Sequence, residues 1–111
     1  MFRDDPQLAR ACRTLLATVR LEWLWTERGP TPEATALLES NGGPLSSGER
    51  VMVLAAWAFW NGSGGVTLAD VLERVDVGPA EALCFLVLAC KYGTDAVDDW
   101  IVEHAQNGST S

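Results

Sequence analysis

The residues of this chain best equipped for chemistry are three cysteines, Cys12, Cys84 and Cys90, and a single histidine, His104. A thiol beside an imidazole, with Asp98 or Asp99 to orient the ring, is the pattern of an activated nucleophile. The spacing argues against it. Cys84 and Cys90 both lie in the apolar run Ala82–Cys90, where burial raises a thiol's pKa and hides the sulfur from substrate. His104 falls in step with Val97, Trp100 and Ile101, which sets it on the inward face of a last helix, near the C-terminal dipole. The Cys84-x5-Cys90 spacing fits no common zinc site, and two further ligands would have to come from elsewhere. These patterns assign no catalytic residue, no metal and no cofactor. A Cys/His-dependent enzyme or metal site is the remote alternative.

Two other segments imitate binding elements. Asn61-Gly62-Ser63-Gly64-Gly65 has the glycine content of a phosphate loop, yet it follows a helical pattern rather than a strand, and no Gly-Lys-Ser/Thr closes it. A connection whose glycines permit positive φ is the expectation. Leu68–Val75, the turn Asp76–Pro79 and Ala80–Cys90 have the proportions of a helix-turn-helix. The second helix of a DNA reader must offer Arg, Lys, Asn or Gln to base edges, and this one offers none.

Charge points the same way. Fifteen acidic against eight basic residues give −7, a field that repels nucleic acid and anionic membranes, so neither is expected as a partner. The balance is uneven: residues 1–28 carry +1, with five arginines, and residues 29–111 carry −8. Three cysteines in apolar surroundings suit free thiols in a reducing compartment. The first residues lack the basic start and apolar run of a secretion signal, and Val51–Trp60 and Ala82–Cys90 are each about half a membrane span. A cytoplasmic location is the expectation. Seven arginines to one lysine fit a GC-rich bacterial or phage genome.

Five tryptophans remain to be placed. Trp57 and Trp60 lie one turn apart and read as core filling; a Trp-lined small-molecule pocket, completed by Trp100, is the alternative. Leu8, Cys12, Leu15, Leu16, Val19 and Trp23 form one stripe of a first helix, whereas Leu21 and Trp25 fall on roughly the opposite side. A second apolar face near Arg20 and Arg28 makes Arg20, Leu21, Trp25 and Arg28 a candidate protein-interaction surface. Asp95, Asp98, Asp99 and Glu103 on the last helix make a second, acidic one.

Helix punctuation supplies the elements that must position these groups. Asp5-Pro6 opens a helix expected to run to Arg28 and stop at Gly29-Pro30. Thr31-Pro32-Glu33 opens a short second helix, ending at Asn41-Gly42-Gly43-Pro44. Ser46 to Glu49 has capping-box spacing and opens a third through Trp60, closed by Asn61-Gly62. Thr67 and Asp70 form another box, with Val66 stapled to Val71, and Leu68, Val71, Leu72 and Val75 trace a buried face. Gly78-Pro79 starts a fifth helix reaching Tyr92, and Thr94 a sixth. Strand signals are weak throughout. The pattern predicts an all-α, compact orthogonal bundle of about six helices, with two strongly apolar central helices at about 46–61 and 79–92. One domain over 1–105 with a frayed tail over 106–111 is the expected organisation.

The functional expectation is a non-catalytic acidic helical protein that binds another protein, as adaptor, regulator or inhibitor. A second copy of the chain, forming a homodimer, is one form that partner could take.

Overall fold

Short polar side chains that satisfy free N–H groups start three of the helices as the sequence announces. The computed structural model describes residues 6–40 and 43–109, with side chains through residue 105. α1 spans Pro6–Ala17; its expected cap, Asp5, lies outside the described residues. α2 (Pro32–Glu39) has proline in its first turn, and the Thr31 hydroxyl accepts from the Ala34 N–H. It ends at Ser40, and Asn41 and Gly42 of the expected stop lie outside the described residues. α3 (Ser47–Asn61) and α4 (Leu68–Arg74) each begin with a complete capping box, Ser46 with Glu49 and Thr67 with Asp70. Gly62, at φ +81°, closes α3 in the left-handed conformation that the sequence assigns to it. α5 (Val77–Tyr92) starts two residues before Pro79, after Asp76 in extended conformation. α6 (Thr94–Ser109) continues past the expected boundary at 105; the last two residues lie outside the described set. The all-α bundle of six helices is therefore the observed architecture among the described residues.

The largest departure is the fate of the first helix. It stops at Ala17 instead of Arg28. The Leu21 N–H returns to the Leu16 carbonyl and the Arg20 N–H to the Ala17 carbonyl, with Arg20 at φ +62° between them. This is a Schellman termination with arginine where glycine is usual, so no glycine announces it. The Thr18 hydroxyl also donates to the Leu15 carbonyl, drawing the last turn closed. Glu22–Leu24 then form a 3-10 turn, and Trp25–Thr26 (β1) pairs antiparallel with Gly29–Pro30 (β2), Trp25 opposite Pro30. The two-residue hairpin was not legible as strand. Gly29, at φ +127°, lies so close to the Trp60 ring that a Cβ would sit 2.7 Å from it.

The chain's redirection reverses the expected roles of two tryptophans. Along a continued helix Trp23 would face inward and Trp25 outward. In the extended hairpin Trp25 turns into the core at 0% exposure and Trp23 projects into solvent at 55%. Trp25 meets Trp57 edge-on at 5.2 Å and Trp60 at 6.1 Å, the arrangement that ring quadrupoles favour.

α1 sits centrally, packed by α3, α6, α5 and the hairpin. Its Leu8, Cys12, Leu15 and Leu16 are buried, as the stripe predicts. α3 is enclosed along the whole of Val51–Trp57, with α1, α2 and α4 against it. α5, expected to be as central as α3, is covered on one side only: Ala82, Leu83, Leu86 and Ala89 face the core, while Phe85, Val87, Leu88 and Tyr92 are exposed. α4 buries no residue fully. Val71 and Val75 pack partly against the core, but Leu68 and Leu72, expected on the buried face, are exposed.

Candidate functional site

α5 is apolar around most of its circumference because core-facing and outward-facing positions both carry Leu, Val, Ala or Phe. α6 and α1 cover one side; the seven-residue α4 is too short to cover the other and lies against α3 instead. The outer face of α5 is therefore left between two grooves. One, of about 330 Å³, lies between α3, α4 and α5 and is lined by Phe59, Val66, Leu68, Val71, Cys84 and Val87 among others. The second, of about 310 Å³, lies between α5 and α6 and is lined by Phe85, Leu88, Tyr92, Trp100, Asp99, Glu103 and His104 among others. Of these, Tyr92 is 76% and Leu68 82% exposed. Large side chains this open, side by side, differ from the scattered apolar residues of an ordinary surface.

The charge on this part of the chain is acidic: residues 68–105 contain eight carboxylates against Arg74 and Lys91, a balance of −6, and two of them, Asp99 and Glu103, line the α5–α6 groove. Arg74 already pairs with Asp70 at 3.8 Å along α4.

The expected acidic patch is divided by the fold. Asp98 faces α1, accepting from Gln7 Nε2 at 2.9 Å and pairing with Arg10 at 3.7 Å. Asp95, Asp99 and Glu103 share an exposed helical stripe, and the latter two line the α5–α6 groove.

The other expected surface requires correction. Leu21 is 6% and Trp25 0% exposed, so neither can offer a docking face. The reason is the Schellman turn, which ends the helix on whose projection they faced outward. Arg20 and Arg28 remain exposed, on the turn after α1 and at the hairpin tip.

The alternative of a pocket lined by Trp57, Trp60 and Trp100 does not assemble, and Trp57 fills the core as the main reading has it. Trp57 and Trp60 belong to the Trp25 cluster, and Trp57 Nε1 donates to the Ala34 carbonyl. Trp100 instead donates from Nε1 to the Ala82 carbonyl and stacks on His104 at 4.5 Å.

His104 donates from Nδ1 to the Trp100 carbonyl at 2.9 Å, one turn back, and lines the α5–α6 groove. Cys84, expected to be hidden in its apolar run, is instead exposed and lines the groove on the opposite flank of α5, because that side of the helix is left uncovered. Cys12 is buried, its thiol donating to the Ala56 carbonyl. Desolvation, with a smaller contribution from nearby Cys90, holds that thiol far above its ordinary pKa, and burial also raises Cys90. The fold thus separates the imidazole from Cys84. Among the described residues no group of three or more His, Cys, Asp or Glu is arranged to hold a metal ion. The glycine loop follows the C-terminus of α3, the negative end of a helix dipole and the wrong end for phosphate.

The exposed α5 face was within reach of the sequence. The stripe Val77, Glu81, Cys84, Phe85, Leu88 and Tyr92 follows helical spacing, and its exposure depends only on which neighbours cover it. No described helix is long and apolar enough to cross a membrane. No protein-family model matches the chain, and no curated protein or solved structure is similar to it.

Proposed function

We propose that this is a non-catalytic binding protein whose outer α5 face, with its two flanking grooves, docks an amphipathic helix of another protein. The observation that carries the reading is the set of apolar side chains Phe85, Val87, Leu88, Tyr92 and Leu68, left exposed along the two grooves with Asp99 and Glu103 beside them. Each such side chain gains about 1.5–3 kcal/mol when fully removed from water. A helix laid along a groove contributes anchors at i, i+3, i+4 and i+7, which matches the geometry of a helix flanked by two grooves. Asp99 and Glu103 in the α5–α6 groove favour Lys and Arg flanking the apolar anchors, and they disfavour a second copy docked through the same face, since like charges would meet. The occupant is accordingly a basic amphipathic helix, and the protein's role that of adaptor, regulator or inhibitor. Three free cysteines, one of them exposed, support a reducing cytoplasmic setting.

Selection from a library of displayed helical peptides tests this, using the wild-type chain as bait and the Phe85→Ser/Leu88→Ser variant for counter-selection. The expected peptides are amphipathic, rich in Lys and Arg, and weakened at least about tenfold by the double substitution. The variant should still unfold in one cooperative transition, at a cost below about 3 kcal/mol, since each of the two side chains is only half buried. Acidic peptides, peptides indifferent to the double substitution, or no enrichment would each overturn the proposal. So would a sedimenting dimer that dissociates in the double variant, which would assign the face to self-association.

A further inference from the structure

The face of the molecule formed by α1, the hairpin and α6 gathers cations in an otherwise acidic protein. A cleft of about 640 Å³ is lined there by Arg10, Arg13, Thr14, Thr26, Glu27 and Arg28, with Ile101 and Ala105 as its apolar floor. Three of the chain's eight basic residues line this one concavity.

The guanidinium groups are held in different ways. Arg13 donates from Nη1 to the Trp25 carbonyl at 3.0 Å, which fixes its fork beside β1 and leaves other donors free. Arg28 stands at the hairpin tip, where the Thr26 hydroxyl accepts from its backbone N–H and donates to the Gly29 carbonyl, locking the turn. No ion pair engages the Arg28 side chain among the described residues. Arg10 is only loosely engaged, 3.7 Å from Asp98 with both groups about half exposed, a pairing worth little. Glu27 is the one carboxylate in the lining.

We infer that this cleft is a binding site for a compact organic phosphate. Planar guanidinium forks match phosphate oxygens in pairs, and a concave setting concentrates their field. The volume falls in the usual range for small-ligand sites, about 300–1,000 Å³. The described lining has no aromatic ring on which a base could stack, which favours a phosphorylated polyol over a nucleotide. The net charge of −7 on the whole chain opposes a longer polyanion, whose length would carry it beyond the three arginines. The site is separate from the α5 face, so either assignment can fail without the other.

Titration of the full chain with pyrophosphate and with glycerol phosphate, followed by backbone amide shifts, tests the inference. Shifts should centre on residues 10–14 and 26–28, and Arg28→Gln should weaken binding about tenfold, since one charge-assisted contact is lost. Arg28 is the decisive position because Arg13 also braces Trp25. Arg50→Gln, on α3 and outside the cleft, should leave binding unchanged. Three results would overturn the inference: shifts spread evenly over all arginines, no effect of Arg28→Gln, or tighter binding of an oligothymidylate than of pyrophosphate.

Discussion

α3 and α5 are near equals, 15 and 16 residues long and both dominated by apolar side chains. α3 is enclosed along Val51–Trp57, whereas α5 leaves Phe85, Val87, Leu88 and Tyr92 in solvent. Composition does not explain the difference. α3 is flanked by α1, α2 and α4, and the Trp25 hairpin closes over its end through Trp60; α5 is packed mainly by α6 and α1. A helix is buried by the number of elements that share its space, and a short neighbour such as α4 leaves area uncovered. Apolar area that folding does not use remains available for binding.

Substitutions on the closed side should expose this asymmetry most strongly. Trp25→Ala should cost about 3–5 kcal/mol in urea unfolding, because it removes a fully buried ring from contact with Trp57 and Trp60. A cost below about 1 kcal/mol, as expected of a surface position, would contradict the closed packing around Trp60.

The thiols provide a second comparison, since Cys12 lies on the closed side and Cys84 on the open one. The folded state holds the Cys12 proton far above the ordinary value of 9.0, the point at which the unfolded chain releases it. Stability should be insensitive to this group below about pH 8 and fall as pH rises past about 9, because the unfolded state then carries fewer protons. The limiting slope is about 1.4 kcal/mol per pH unit. Cys12→Ala should remove most of the alkaline limb, Cys90 keeping a smaller part because burial raises that thiol too, and pH-dependent urea titrations of the wild-type and variant chains would read the difference. An unchanged limb in Cys12→Ala would show that the closed side does not keep water from its thiol.

The smallest effect concerns strain at the end of α1. Arg20 holds φ +62°, a conformation that costs side-chain-bearing residues about 1–2 kcal/mol relative to glycine. Arg20→Gly should raise stability by about 0.5–1 kcal/mol after the unfolded chain's added freedom is counted. A loss of stability would show that the Schellman turn is not what ends the helix.

Much of this was readable in the residues, and the unreadable parts share a cause. The caps of α2, α3 and α4 were legible because each is a local hydrogen-bond exchange within four residues. Leu8, Cys12, Leu15 and Leu16 were legible because helical period fixes their common side. The end of α1 was not, since arginine occupies the glycine position and the continuing pattern Val19, Trp23 imitates a helix. The Leu21–Trp25 surface failed with it. The acidic balance was visible as composition, but the division of Asp98 from Asp99 and Glu103 was not.

The amino-acid order alone determined a mainly helical chain, most of its helix boundaries and the side of α1 that turns inward, because these depend on forces acting over a few residues. Tertiary packing alone decided which of two equally apolar helices would be enclosed, where Trp25 would go and which arginines would meet. Those outcomes depend on how many distant segments compete for the same volume, and no local pattern records that competition.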